Sequence, residues 1–177
     1  MWRLNMGTYR YTAIPVKDMP YPAGLGKAEY DALEFGMRRL LGRSWDHQAT
    51  NERLFWTPEY QNLISTHLKP MFDEHGDIVT NATLAVDVAS TSHAFDTAIT
   101  AVSSCEANAE YRDALPHITD LMDRYGAKTA WWIIRPPRIW WDGTALGFAD
   151  GRHRLSYLRS LVQQQHPDFR VLVELGS

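Results

Sequence analysis

Cysteine is nearly absent from this chain of 177 residues, in which Cys105 stands alone. A single thiol excludes a disulfide framework and any zinc site built on cysteine pairs. The seven histidines are scattered, with neither the His-x-His nor the His-Glu-x-x-His spacing of metal ligands. We therefore expect no structural metal site, and the lone cysteine favours a reducing cytoplasm.

Long apolar runs and a surplus of positive charge are also missing. No segment approaches the roughly 18 apolar residues that a membrane-spanning helix needs, and the first residues lack a secretion-signal pattern. Lysine and arginine number 18 against 21 acidic residues, which gives a net charge of −3. Because proteins that bind long nucleic acids usually carry a basic surplus, this balance argues against a general nucleic-acid binder. The composition is typical of a cytoplasmic globular protein.

The most distinctive feature of the chain is the stretch Asp150-Gly151-Arg152-His153-Arg154. The apolar run Ala145–Ala149 before it predicts a short strand, and Asp-Gly is a turn signal. Residues Arg152–Gln165 predict a helix whose apolar face carries Leu155, Leu158, Leu161 and Val162. The stretch therefore joins a strand to the first turn of a helix.

Three basic side chains, Arg152, His153 and Arg154, fall in that first helical turn. Free backbone N–H groups already make the N-terminal end of a helix electropositive, so the added charge indicates a site for an anion such as phosphate. A plainer interpretation is also open. The Asp150 side chain would cap the helix, Gly151 would make the turn, and the basic residues would be solvated.

The flanking sequence predicts a small sheet around this stretch. An Asp-Gly pair at Asp142-Gly143 between two apolar runs is typical of a hairpin. The predicted strands are Trp131–Ile134, Ile139–Trp141 after the Pro136-Pro137 break, Ala145–Ala149, and Phe169–Leu175.

The order of these elements, together with their residues, resembles the ParB/sulfiredoxin superfamily. The matching residues are Pro136, Pro137, Ile139, Asp150, Gly151, His153 and Arg154. The amino-acid sequence of the turn is most similar to that of the plasmid fertility-inhibition (Osa-like) branch. The resemblance covers roughly the last quarter of the chain. Sulfiredoxins place a catalytic cysteine where this chain has Arg152, so reduction of sulfinic acids is not expected. Because few residues follow Arg154, we do not expect the helix-turn-helix domain of a full partition protein.

The resemblance implies binding of ATP or another nucleoside triphosphate, alone or with Mg²⁺. ATP hydrolysis or DNA cleavage would then block conjugative transfer of another plasmid. Backbone N–H groups from Gly151 to Arg154 would wrap the triphosphate, Arg154 would contact phosphate oxygens, and His153 would supply a hydrogen bond or a proton. The candidate catalytic residues are Asp150, His153 and Arg154. The candidate cofactor-binding residues are Gly151, Arg152, His153, Arg154 and Arg138.

Two other functions remain open. A non-enzymatic inhibitor could bind a protein of a transfer or defence system through a tryptophan-rich face, because paired tryptophans in a strand place one ring on each face of the sheet. Packing of these rings in the core and at its rim is the favoured interpretation. The pairs are Trp131-Trp132 and Trp140-Trp141. A DNA nuclease or DNA-binding module unrelated to conjugation is the third interpretation, and salt-dependent DNA binding would identify it.

Elsewhere the pattern predicts helices before the sheet, hence an α+β protein. We expect an N-terminal strand and helical region over residues 1–75 and a ParB/sulfiredoxin-like region over residues 76–177, with no linker between them. The predicted helices are Lys27–Leu41, Thr57–Phe72, Ser92–Val102 and Glu106–Tyr125. The further predicted strands are Tyr9–Thr12, Ile78–Thr80 and Thr83–Val88.

Overall fold

The computed structural model describes residues 9–73, 77–91 and 119–176. Its α-helices include α1 (Asp31–Leu41), α2 (Gln48–Leu54), α3 (Pro58–Phe72), α4 (Ile78–Thr91), α5 (Ala127–Ile134) and α6 (Arg152–Val162). Its strands are β1 (Tyr9–Pro15), β2 (Arg138–Trp141), β3 (Leu146–Asp150) and β4 (Arg170–Gly176). Residues 119–125 are also helical and lead into α5.

The four strands of the described part of the chain form one mixed sheet in the order β1-β4-β2-β3. Strand β4 pairs antiparallel with β1 and parallel with β2, and β2 and β3 form an antiparallel hairpin. The fold is therefore α+β, as the sequence predicts. Because β1 pairs with β4 from Tyr9↔Gly176 to Pro15↔Arg170, residues from both predicted regions share one sheet.

Helices α1 and α3 follow directly from the sequence pattern. Each buries one apolar residue per turn at a spacing of four, which places these residues on one face. The buried residues are Leu33, Met37 and Leu41 in α1 and Tyr60, Ile64 and Leu68 in α3. Gly42 follows α1 with a φ of 68°, and Pro58 opens α3 at a position where its missing N–H costs nothing. Both predicted helices are confirmed.

The C-terminal elements are also close to their predicted positions. The hairpin strands β2 and β3, helix α6 and the closing strand β4 each lie within three residues of the predicted bounds. Helix α6 packs against α3, and α4 lies against β4 and α5. The core between these elements includes fully buried residues of β4, namely Val171 and Val173.

The predicted strands Ile78–Thr80 and Thr83–Val88 are wrong, because the chain forms helix α4 there. The Asp77 carboxylate accepts hydrogen bonds from the N–H groups of Val79 and Thr80 at 3.1 and 3.2 Å, as a helix cap does. The hydrogen bond from the Thr80 hydroxyl is the largest cause that lowers the pKa of Asp77. The cap and burial of one face outweigh the strand preference of the β-branched residues.

The predicted strand Trp131–Ile134 is wrong as well, because these residues end helix α5. Gly126, with a φ of 82°, separates α5 from the helical residues before it. A short apolar run does not distinguish a strand from a buried helix by its periodicity. Trp132, Ile133 and Ile134 are all buried, so burial rather than strand pairing explains the run.

Several predictions lie outside the described residues. These are the helix Ser92–Val102, the part of the helix Glu106–Tyr125 before residue 119, and the position of Cys105. Within the described ranges, no helix is both long and apolar enough to cross a membrane.

Candidate functional site

The turn from β3 into α6 is built around Gly151. This residue has a φ of 80° and a ψ of 10°, in the left-handed region where glycine is favoured. A Cβ at this position would lie 2.8 Å from Cβ and 2.9 Å from Cα of Pro137. Oδ1 of Asp150 accepts the Gly151 N–H at 2.7 Å, so this carboxylate fixes the turn instead of capping α6. The glycine and the proline of the motif are thus in direct contact.

Arg152 and His153 face the segment between β1 and α1. Nη2 of Arg152 donates to the Gly26 carbonyl at 2.7 Å, and Nε2 of His153 lies 2.8 Å from the Leu25 carbonyl oxygen. The His153 ring stacks on Tyr30 with centroids 4.2 Å apart and is 8% exposed. Both side chains are therefore already bonded to backbone carbonyls.

Burial lowers the pKa of His153, and the hydrogen bond to the Leu25 carbonyl opposes that effect. Among the nearby charges, Arg152 and Lys27 lower the pKa further and Glu29 raises it. The ring is therefore neutral at pH 7, with its Nε2 donating to the carbonyl. A neutral, stacked and buried histidine suits a structural contact.

This burial predicts a pH dependence of stability. The unfolded chain takes up a proton at His153 near the ordinary pKa of 6.5, whereas the folded chain takes it up only at lower pH. The free energy of unfolding should therefore fall as the pH drops below about 6.5 and stay level above it. Urea unfolding at pH 5.5 and 7.5 measures this, with His153→Gln as the comparison. An equal loss of stability in both proteins would contradict the assignment.

A third basic side chain of α6, Arg159, contacts the same segment. It is 2% exposed, and its guanidinium donates to the carbonyls of Val16, Met19 and Pro20. Its Cζ also lies 4.0 Å from the centroid of the Tyr21 ring. Burial lowers the pKa of Arg159 to about 10, so it stays charged at neutral pH. Helix α6 thus holds residues 16–26 through three basic side chains.

Arg138 begins β2, beside the motif. Its Nε donates to Oε2 of Glu174 at 2.8 Å, and Glu174 is 4% exposed. Arg138 also pairs with Asp150 in the register of β2 and β3. The structure therefore places Arg138 in an ion pair between the neighbouring strands β2 and β4.

Arg154 is the motif residue that lines a cavity. It is half-buried, Nη2 donates to the Arg135 carbonyl at 2.8 Å, and its Cζ lies 4.7 Å from the centroid of the Trp132 ring. Burial lowers the pKa of Arg154 to about 10, which leaves it charged at neutral pH. One hydrogen bond uses only one of the five N–H donors of a guanidinium.

A cleft of about 190 Å³ lies beside the Arg154 side chain. It is formed by α3, α4, α5 and α6, and its lining residues are Phe72, Ile78, Asn81, Lys128, Trp131, Trp132 and Arg154. Trp131 is 44% exposed. Trp132 is buried and donates its indole N–H to the Leu172 carbonyl at 3.2 Å. The cleft thus combines aromatic walls with two cations.

Sequence reasoning missed most of this lining. Lys128 and Asn81 belong to no motif, and α4 and the end of α5 were both predicted as strands. Asn81 accepts a hydrogen bond from the Thr129 hydroxyl at 3.1 Å, which joins α4 to α5. One tryptophan of each pair is exposed, because Trp131 and Trp141 are each 44% exposed, but Trp131 lies on a helix and not on the predicted strand.

The family resemblance also implies that Mg²⁺ could accompany the nucleotide, which raises the question of its ligands. In the ranges that the structure describes, no three His, Cys, Asp or Glu side chains lie together in a way that could hold a metal ion. Asp150 is exposed and accepts the hydrogen bond within the turn. A divalent ion at this turn would therefore need ligands from the phosphates it accompanies.

Comparison with protein-family models, with curated proteins and with solved structures gave no match to this chain. The chemistry of the cleft and of the basic turn is therefore what bears on function.

Proposed function

We propose that this protein binds a nucleotide in the cleft beside Arg154. The observation that carries the proposal is the combination of two cationic side chains, Arg154 and Lys128, with aromatic walls in one cavity. Cations recognise phosphate oxygens, and aromatic rings stack on bases. A ligand that has both a ring and negative charge matches this lining better than a purely apolar or a purely anionic ligand.

The phosphate would be bound mainly by Arg154. Its guanidinium is held in place by the Arg135 carbonyl and the Trp132 ring, and a positioned fork is suited to bidentate contact with phosphate. Arg154 is the third residue of α6, so the electropositive end of the helix adds to the attraction for an anion. Lys128 supplies the second positive charge.

The base would stack on Trp131, whose ring is partly open to solvent. Stacking of a base on an aromatic side chain contributes about 1–3 kcal/mol. The cleft of about 190 Å³ is smaller than the roughly 300–1,000 Å³ of a typical ligand pocket. It therefore encloses only part of a nucleotide, and the rest of the ligand would lie at the surface.

Binding is supported better than catalysis. His153 is buried against Tyr30, and its Nε2 is bonded to the Leu25 carbonyl, so proton transfer through Nε2 would require breaking that contact. ATP hydrolysis, DNA cleavage and membership of the ParB/sulfiredoxin superfamily remain predictions from the sequence resemblance. Inhibition of conjugative transfer, by a nucleotide-dependent activity or through a tryptophan-rich face, also remains a prediction from the sequence.

Calorimetric titration with ATP, CTP and GTP, with and without Mg²⁺, tests the proposal. We expect saturable binding by the wild type and a 10- to 100-fold weaker affinity for Lys128→Ala and Arg154→Lys, since a charge-assisted hydrogen bond contributes about 1.5–3 kcal/mol. The lysine at position 154 keeps the charge but loses the fork. Quenching of tryptophan fluorescence, reduced in Trp131→Phe, reports the stacking.

Arg53→Ala is the matched control, because Arg53 is exposed on α2 and does not line the cleft. Its affinity should equal that of the wild type. Far-UV circular dichroism of each variant separates loss of the site from loss of the fold. Wild-type protein that binds none of the three nucleotides, or variants that bind as well as the wild type, would contradict the proposal.

A further inference from the structure

A second concave surface lies on the outside of α1 and α3, away from the residues that line the cleft. It is a groove of about 400 Å³, and its lining includes Phe35, Leu40 and Leu63 together with Arg39 and Glu59. Phe35 is 70% exposed, the largest exposure among the large hydrophobic residues of the described chain. Large exposed apolar side chains that border a groove are a mark of interaction sites.

Phe35 is not part of the core face of its helix. Leu33, Met37 and Leu41 make that face, and Phe35 projects from the other side of α1. Gly36 beside it allows a close approach of α3, since a Cβ there would lie 2.5 Å from Cδ2 of Leu63. Phe35 is therefore not needed to fill the core of the monomer.

The two walls of the groove carry opposite charges. Arg39 stands on α1 and Glu59 on α3, both exposed. Neither forms an ion pair with another residue of the described ranges. A two-fold interface brings the same patch of two copies together. An apolar projection then has an apolar groove to enter, and each charge has an opposite charge to face.

We propose that this surface binds a second copy of the same chain. In the symmetric pair, Phe35 of each copy would enter the groove of the other, and Arg39 of each would face Glu59 of the other. An apolar cavity of about 150 Å³ holds a benzene ring, so the groove is large enough for a phenylalanine side chain. The two surfaces share no lining residue, so the variants that test dimerisation differ from those that test nucleotide binding.

The area that the surface can bury indicates how tightly the two copies would bind each other. Helix α3 has 15 residues and is therefore about 22 Å long at 1.5 Å per residue. Two helices packed side by side present a face about 20 Å wide, which gives ~800 Å² of buried area for the pair of copies. Interfaces of this size lie below the standard range and are weak and transient. We expect a reversible dimer with a dissociation constant in the micromolar range or weaker.

Sedimentation equilibrium of the full chain, from about 1 µM to 1 mM, tests the proposal. The wild type should shift from monomer to dimer, and Phe35→Ser should raise the dissociation constant at least tenfold. Arg39→Glu and Glu59→Arg should each weaken the dimer because like charges then face each other. The double variant, which exchanges the two charges, should return to the wild-type value within about threefold.

Leu161→Ser is the matched control, because Leu161 is exposed on α6 and lies outside the groove. It should dimerise like the wild type. The proposal is overturned if the wild type stays monomeric throughout the range, or if Phe35→Ser dimerises unchanged. Recovery in the double variant supports it even if Phe35→Ser proves poorly folded, and failure of the double variant to recover counts against it.

Discussion

Replacement of Arg159 by alanine is expected to lower the free energy of unfolding by about 3–5 kcal/mol, because buried carbonyls lose a donor at roughly 1–3 kcal/mol each and the removed side chain leaves a cavity. The side chain is almost completely buried in α6 and donates to the carbonyls of Val16, Met19 and Pro20. Alanine would remove the guanidinium donor from these carbonyls, of which only that of Val16 also accepts a backbone N–H in the described chain, and would open a cavity beside Tyr21. Urea unfolding followed by circular dichroism measures the loss.

Two further substitutions separate the causes of this effect. Arg159→Lys keeps the positive charge but replaces a planar fork of donors by a single ammonium group, so we expect it to be destabilised by less than the alanine variant. Arg53→Ala removes an exposed arginine and should change stability by less than about 0.5 kcal/mol. If Arg159→Ala were as stable as Arg53→Ala, the segment 16–26 would be held by other contacts.

Substitution of Gly151 by alanine is the second change for which we expect a large loss of stability, about 2–5 kcal/mol. A residue with a Cβ costs about 1–2 kcal/mol in the left-handed conformation. The new methyl group would also overlap Pro137, from which it would be separated by only 2.8 Å, and overpacking adds about 1–3 kcal/mol. The loss is measured by thermal or urea unfolding of the variant and the wild type.

Gly147→Ala is the matched control, because a Cβ at that position of β3 would meet no atom within 4 Å. It should leave stability nearly unchanged. Gly151→Asn tests the contact itself, since asparagine tolerates the left-handed region but still carries a Cβ towards Pro137. Near wild-type stability of Gly151→Asn would show that backbone conformation alone requires the glycine.

The sequence predicted the C-terminal elements best. Asp142-Gly143 marks the hairpin, Asp150-Gly151 marks the turn, and the apolar face of α6 repeats with helical spacing. These are local signals, because a turn residue or a period of 3.6 is set by a few neighbouring residues. Helices α1 and α3 were predicted for the same reason.

The elements α4 and α5 were not predictable in the same way. Residues such as Val79, Thr80 and Thr83 favour strands, and the run Trp131–Ile134 is apolar on every side. Their helical state depends on burial against β4 and against each other. Tertiary packing overrides a difference in propensity of less than about 1 kcal/mol per residue.

The contacts that each basic side chain makes were likewise not predictable from the local sequence. The sequence by itself determined that Arg152, His153 and Arg154 open a helix after a glycine turn, because spacing and turn chemistry are local. Only the tertiary structure decided which of these side chains contact the segment before α1 and which one reaches a cavity. Arg152 and His153 contact residues 26 and 25, more than 100 positions away in the chain, whereas Arg154 lines the cleft. Contacts between distant segments depend on how the whole chain buries its apolar faces, and no local pattern encodes that outcome.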